Sequence, residues 1–246
     1  MKKNLIGAIV LIAAIALTGC GNKNNQKNEE AIEEKAPVTL SAMKINAQEL
    51  PPRMLIIVDP QNDFVKGGAL ATEKGAEALD VLANALNSKH AQDYSWIIAT
   101  QDMHPKNHCS FQEQGGTFPP HCVQGTKGAE IYPPLKETLK LMMEKGFQVH
   151  FMRKGDQAEK EEFSVFQNEH NGEKMRRTIQ EIENFDGIDV CGIATDYCVY
   201  QTVKDLIEFY PAEKVRVVTN CIAAVDENDT KLAKLMKEKG IKGIEF

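Results

Sequence analysis

Cys198 lies in Gly192-Ile193-Ala194-Thr195-Asp196-Tyr197-Cys198-Val199, where an apolar strand pattern gives way to a helical one. A thiol at a helix N-terminus meets the partial positive charge of unpaired backbone N–H groups, which lowers its pKa and raises its thiolate fraction. Cys198 is therefore a candidate nucleophile, although a lone cysteine beside a buried strand is more often an inert packing residue. Two other residues change that balance. Asp59 closes the apolar run Arg53-Met54-Leu55-Ile56-Ile57-Val58-Asp59, and Lys154 stands in Arg153-Lys154-Gly155 at the end of another strand pattern. An acid, an amine and a thiol together have a clear use. The carboxylate takes the thiol proton, the ammonium favours the thiolate and fixes the carboxylate, and the thiolate attacks a carbonyl carbon.

A second constellation follows another strand pattern. In Asp102-Met103-His104 the two ligand-type side chains fall on one side of an extended segment, because side chains alternate with a period of two. His108 and His121 follow in a loop rich in Gly and Pro. An Asp/His/His set with open positions suits Zn²⁺, with Fe²⁺ and Mn²⁺ as alternatives. His90, His150 and His170 have no such company and read as structural or surface residues.

The elements that must position these groups alternate. Apolar runs at 53–59, Trp96–Thr100, Phe147–Met152, Ile188–Ile193 and Val215–Val218 read as strands, the first as one buried on both faces. Helical patterns cover Thr72–Lys89, Leu135–Lys145 with Gly146 as C-cap, Glu173–Glu183, Val199–Phe209 and Thr230–Lys239 with Asp229 as N-cap, and Ile241–Phe246 can add an edge strand. Between them, Phe111–Pro134 reads as a long ordered loop, a usual place for function. Strands alternating with helices predict a three-layer α/β/α sandwich around a mostly parallel sheet, with the chemistry at the edge where the strands end.

Two lysines, the apolar run Leu5–Leu17 and then Leu17-Thr18-Gly19-Cys20 read as a lipoprotein signal peptide over residues 1–19, with Cys20 as the lipidated residue. The run is short for a membrane span, which needs about 20 residues. Residues 20–52, rich in Asn, Lys, Glu and Gln, read as a flexible tether, and residues 53–246 as one domain. The expected location is a membrane surface, lipid-anchored and facing outward. The formal net charge of −6 falls by two, to −8, without Lys2 and Lys3, and no basic stripe carries interleaved aromatics, so nucleic acid is not an expected partner. Five cysteines remain besides Cys20, an odd set that leaves at least one thiol free. Homo-oligomerisation stays open.

Five segments in order carry a resemblance. Asp59-Pro60-Gln61-Asn62-Asp63-Phe64 with Gly67-Gly68-Ala69-Leu70, Thr100 to Phe111, Phe118 to Thr126, Arg153-Lys154-Gly155 and Gly192 to Val199 resemble the motifs of nicotinamidases in the isochorismatase-like cysteine hydrolase superfamily. That resemblance implies hydrolysis of nicotinamide to nicotinate and ammonia, with pyrazinamide as a related substrate. It implies Asp59, Lys154 and Cys198 as catalytic triad, and Asp102, His104 and His121 as metal ligands with His108 as a fourth. It also implies a cis peptide at Ile193-Ala194, an oxyanion hole from the N–H groups of Ala194 and Cys198, a metal-held pyridine nitrogen, and ring walls from Phe64 and Phe118. Phe118 stands where many members carry tryptophan. Rival readings are a different amide or ureido hydrolase of the same fold and, from another class, a catalytically dead surface-binding lipoprotein.

Overall fold

The computed structural model describes residues 53–181 and 186–246. The expected signal peptide, the Cys20 lipidation site and the tether lie outside the described residues. Six strands form one parallel sheet: β1 (Arg53–Val58), β2 (Tyr94–Asp102), β3 (Gln148–Lys154), β4 (Gly187–Ile193), β5 (Val215–Ala223) and β6 (Lys242–Ile244), in the order β3-β2-β1-β4-β5-β6. Between them lie α1 (Gly75–Leu86), α2 (Pro133–Glu144), α3 (Glu169–Glu181), α4 (Tyr200–Leu206) and α5 (Lys231–Lys239).

The sequence of β1 explains its central place. Leu55 and Ile57 point to the face covered by α1 and α2, where they meet Leu79, Leu82 and Leu139. Met54, Ile56 and Val58 point to the other face, among Met175, Val203 and Leu232 of α3, α4 and α5. Such a strand has no solvent face, so its apolar run is unbroken. Each fully buried Leu or Ile contributes about 2 kcal/mol of burial free energy.

The chain leaves β1 outward through β2 and β3, then returns to build β4, β5 and β6 on the opposite side. The sheet therefore reverses between β1 and β4, and crevices at the carboxyl ends of such strands are where open α/β sheets bind ligands. The two strands come very close there. A Cβ on Gly192, at φ +113°, would sit 2.1 Å from the Val58 carbonyl oxygen, so only glycine permits this approach.

Element ends differ from the pattern reading in instructive ways. β5 runs five residues past Val218 because its register shifts between Val190 and Gly192 of β4, which interrupts the alternation that marks a strand. The fourth helical run begins as a wide π-type turn at Thr195–Val199, and α4 proper ends at Leu206 instead of Phe209. Thr230 occupies the N-cap of α5 in place of Asp229, whose carboxylate still accepts from the Lys231 N–H at 2.7 Å. Lys145, one residue before the expected Gly146, is the C-cap of α2; Gly146 follows in the left-handed region at φ +89°. Among the described residues no helix is long and apolar enough to cross a membrane.

Candidate active site

Four neighbouring strands each deliver one group to the same edge. Asp59 follows β1, Asp102 ends β2, Lys154 ends β3 and Cys198 sits in the turn after β4. Asp59 is fully buried, and Thr100 of β2 holds it twice: the Asp59 N–H donates to Thr100 Oγ1 (3.1 Å), whose hydroxyl donates to Asp59 Oδ1 (2.7 Å). Lys154, also fully buried, reaches across β2. Its Nζ lies 2.8 Å from Asp59 Oδ2, pairs with Asp102 Oδ1, donates to the Glu162 carbonyl (3.1 Å) and sits 3.5 Å from Cys198 Sγ. Reactive atoms of Asp59, Asp102 and Cys198 all lie within 4.8 Å of one another. The acid, amine and thiol expected from the sequence therefore meet; the ammonium's second carboxylate partner, Asp102, was not expected.

The electrostatics follow from one cation among three acidic groups. Burial pulls Lys154 toward the neutral form, but Asp102 and Asp59 together hold its pKa well above the ordinary value, so it stays charged. Burial raises Asp59; the Lys154 charge opposes this and the Asp102 charge adds to it, leaving the carboxyl raised. Burial likewise pushes the Cys198 thiol well above its usual range, with Lys154 pulling it down and Asp59 pushing it up. This corrects the expectation of a thiol lowered by a helix N-terminus: Cys198 is only 6% exposed, and desolvation outweighs the short turn it sits in. A thiol that keeps its proton needs a base beside it, and Asp59 is that neighbour.

Asp102, His104 and His121 form a second group, with one donor atom of each within 4.8 Å of the others. His104 Nδ1 lies 2.9 Å from the Gly155 carbonyl and His121 Nδ1 2.8 Å from the Pro119 carbonyl. Main-chain acceptors thus take the Nδ1 protons and leave each Nε2 as the donor edge, the tautomer a metal requires. Burial raises Asp102, yet Lys154 and His104 outweigh it and hold the carboxyl below its usual range. Burial lowers His104 but the Asp102 carboxylate overrides it, whereas His121 is lowered by burial. Two imidazole nitrogens beside a carboxylate oxygen fit a divalent metal ion.

His108 is not brought into that group. Its ring centroid lies 3.9 Å from that of His104 with the planes tilted by 32°, but Nδ1 lies 2.7 Å from Ser110 Oγ and Nε2 3.0 Å from the Lys160 carbonyl, so both nitrogens face protein partners. Its own company is His104 and Glu161. Gln61 is a buried support that residue type and spacing do not mark. Its Nε2 donates to the carbonyls of Asp102 (2.7 Å) and Ala129 (3.0 Å), and its Oε1 accepts from the Asp102 N–H (2.7 Å). Asp63 ties the His121 loop in place by accepting from the Cys122 N–H at 2.7 Å.

Cys198 and Ala194 open onto a cleft of about 330 Å³, counting the part open to solvent. Phe64, Phe118, Phe163 and Tyr197 line it, with Asp102, His121 and Glu161 as its polar edge. Phe118 and Tyr197 meet edge to face at 5.4 Å, and Phe64 lies 5.7 Å from the His121 ring. Phe64 and Phe118 were expected there; Phe163, Tyr197 and Glu161 were not. The Ile193-Ala194 peptide is cis, as the resemblance implied. An apolar, aromatic-walled cleft with a nucleophile at its floor and a polar rim suits a small flat ligand.

The chain is similar to known proteins. The chain is 35% identical over 189 residues to a nicotinamidase of Escherichia coli (70% of this chain, 83% of that protein). It is also 35% identical over 183 residues to a nicotinamidase/pyrazinamidase of Mycobacterium tuberculosis (72% and 90%). Solved structures with the same fold include a pyrazinamidase of Pyrococcus horikoshii in complex with zinc, at TM-score 0.64, 30% identity, 80% of this chain and 100% of that one. Another is PnC1 from L. infantum in complex with nicotinate, at TM-score 0.67, 30% identity, 79% and 93%. Residues 53–243 match the isochorismatase domain, and the chain belongs to that family.

Proposed function

We propose that the protein is a metal-dependent cysteine amidohydrolase that converts nicotinamide and water to nicotinate and ammonia, with pyrazinamide as a second substrate. One observation carries the reading: the Cys198 thiol stands at the floor of an aromatic cleft, with Lys154 Nζ 3.5 Å away and the Asp59 carboxylate beside it.

The steps follow from the geometry. Asp59 takes the thiol proton, made feasible by its raised proton affinity, while Lys154 holds the charge of the forming thiolate. Cys198 Sγ attacks the carboxamide carbon, and the N–H groups of Ala194 and Cys198, both lining the cleft, are the proposed donors to the oxyanion. Asp59 returns the proton to the leaving nitrogen, the C–N bond breaks, and ammonia departs from a thioester. Asp59 then deprotonates water, which cleaves the C–S bond and frees nicotinate as the thiol regains its proton. Asp102, His104 and His121 would hold the metal, zinc being the reading favoured by this donor set and by the zinc-bound pyrazinamidase. When bound, such an ion supplies a Lewis acid for a pyridine nitrogen and so orients the ring.

Ammonia release from nicotinamide by the zinc-loaded protein tests the reading, with Cys198→Ala reducing turnover to background. No release from the parent would end it. A second part of the proposal concerns place: the run Leu5–Leu17 followed by Leu17-Thr18-Gly19-Cys20 supports lipid anchoring through Cys20 on the outward face of a membrane. Cys20→Ser is expected to abolish incorporation of labelled fatty acid, and persistent labelling would refute the anchor. Outside the cytoplasm the nearly complete burial and protonated state of Cys198 would also slow its oxidation.

A further inference from the structure

Glu162 is fully buried, one residue from two cleft-lining side chains, Glu161 and Phe163, yet it does not line the cleft itself. Burying a carboxylate is costly unless donors surround it, and three converge here. The Gly155 N–H donates to Oε2 at 2.8 Å, the Asn168 amide donates to the same oxygen at 2.9 Å, and Lys160 Nζ lies 2.9 Å from Oε1. An ionised carboxylate suits this pocket, because Oε2 accepts from two N–H donors while Oε1 faces the Lys160 ammonium as an ion pair. The main-chain carbonyl of the same residue accepts from Lys154 Nζ at 3.1 Å. Glu162 thus grips both ends of the Lys154-Gly155 unit, the ammonium by its backbone and the next amide by its side chain.

The grip extends to the metal group. Gly155 sits at φ +65°, and a Cβ there would come within 2.6 Å of His104 Cε1, so the peptide lies directly against the imidazole. Its carbonyl is the partner of His104 Nδ1 at 2.9 Å. The Lys160 carbonyl, on the residue whose ammonium pairs with Glu162, occupies His108 Nε2 at 3.0 Å. One buried residue therefore ties down the loop that orients His104 and occupies His108 Nε2, and its main-chain carbonyl helps place the ammonium beside Asp59 and Asp102.

We propose that Glu162 is a positioning residue that holds the Lys154 ammonium and the His104 imidazole in register, coupling the thiol site to the metal site. The inference rests on the amidohydrolase reading for its kinetic consequence but not for its binding consequence. The test uses the full chain, stripped of metal and titrated with zinc alone against a competing chelator, followed by nicotinamide kinetics. Glu162→Ala leaves the Gly155 N–H without its acceptor. It is expected to weaken zinc binding about 10-fold or more, the usual effect of losing a partner behind a metal ligand, with a matching fall in kcat/KM. A Glu162→Ala protein with the parent's zinc affinity and kcat/KM, and only a lower melting temperature, would make Glu162 a brace of the fold and overturn the proposal. If Glu162→Ala is recovered unfolded, Glu162→Gln decides: its one oxygen can serve either Gly155 and Asn168 or Lys160, and an NH₂ is turned toward the other side. A roughly threefold loss of zinc affinity supports the proposal and an unchanged affinity overturns it. Should the parent fail to hydrolyse nicotinamide, the zinc comparison still stands and only the substrate assignment falls.

Discussion

The two ends of the sheet both bury a carboxylate within reach of a cation, and they do opposite things with it. At the amino end Asp189 of β4 accepts from Arg53 of β1 at 2.5 Å, from Arg216 of β5 at 2.8 and 2.6 Å, and from the Tyr94 hydroxyl of β2 at 2.7 Å. Burial alone would raise its pKa, but the bonds from Arg216, Arg53 and Tyr94 hold it below the usual range. At the carboxyl end Asp59 has one hydroxyl donor and an ammonium that it shares with Asp102. Lys154 Nζ lies 2.8 Å from Oδ2 as a charge contact, and Oδ2 has no hydrogen-bond partner. Its pKa stays raised. A carboxylate saturated with donors is a staple, and one left under-satisfied is a base. The difference is donor number, since both residues are fully buried.

The sharpest way to break this contrast is to neutralise each acid. Asp59→Asn is expected to lower kcat/KM for nicotinamide by about 10³-fold, within the span attributed to a general base. Its melting temperature at neutral pH should match or exceed that of the parent, because a carboxyl with a raised pKa opposes folding when ionised. Asp189→Asn is the converse and the second largest effect. It should cost about 3 kcal/mol of stability, the low side for a broken buried ion pair because Arg216 keeps partial access to water. For a domain of this size that is a fall of about 6–12 °C in melting temperature, with kcat of the folded protein within about twofold. Equal losses of stability in both variants would erase the distinction.

The same contrast explains what could be read from the residue order. Asp59, Asp102, Lys154 and Cys198 are reactive types at strand ends, and strand ends are marked by where an apolar run stops, so their convergence follows from a parallel sheet. Asp189 leaves no such mark: it sits inside the apolar run Ile188–Ile193 as an isolated acid, and its partners come from three other strands. Glu162 and Gln61 were hidden for a related reason. Their role is set by main-chain groups of Gly155, Lys154, Asp102 and Ala129, and main-chain positions carry no residue-type signal. His108 has a ligand's type and spacing, but its Nε2 faces the Lys160 carbonyl, 52 residues away in sequence. The state of Cys198 was misjudged because a turn shows in the sequence and the depth of burial does not.

The smallest expected effect is an order of two midpoints on acidification. The raised pKa of Asp59 makes it take up a proton before an ordinary carboxyl does, and protonation removes the base without loss of stability, since its ionised form was the unfavourable one. The lowered pKa of Asp189 reverses the sign. Its contribution to stability is fully present above the unfolded value of about 3.9 and is lost as the pH falls through the lower folded value. Activity should therefore fail first, at a pH where the melting temperature is still level, and the acid loss of stability should come later. Asp189→Asn should flatten that later loss and leave the acid limb of kcat/KM where it was. If the limb and the loss of stability moved together in this variant, the two ends of the sheet would be one coupled charge system.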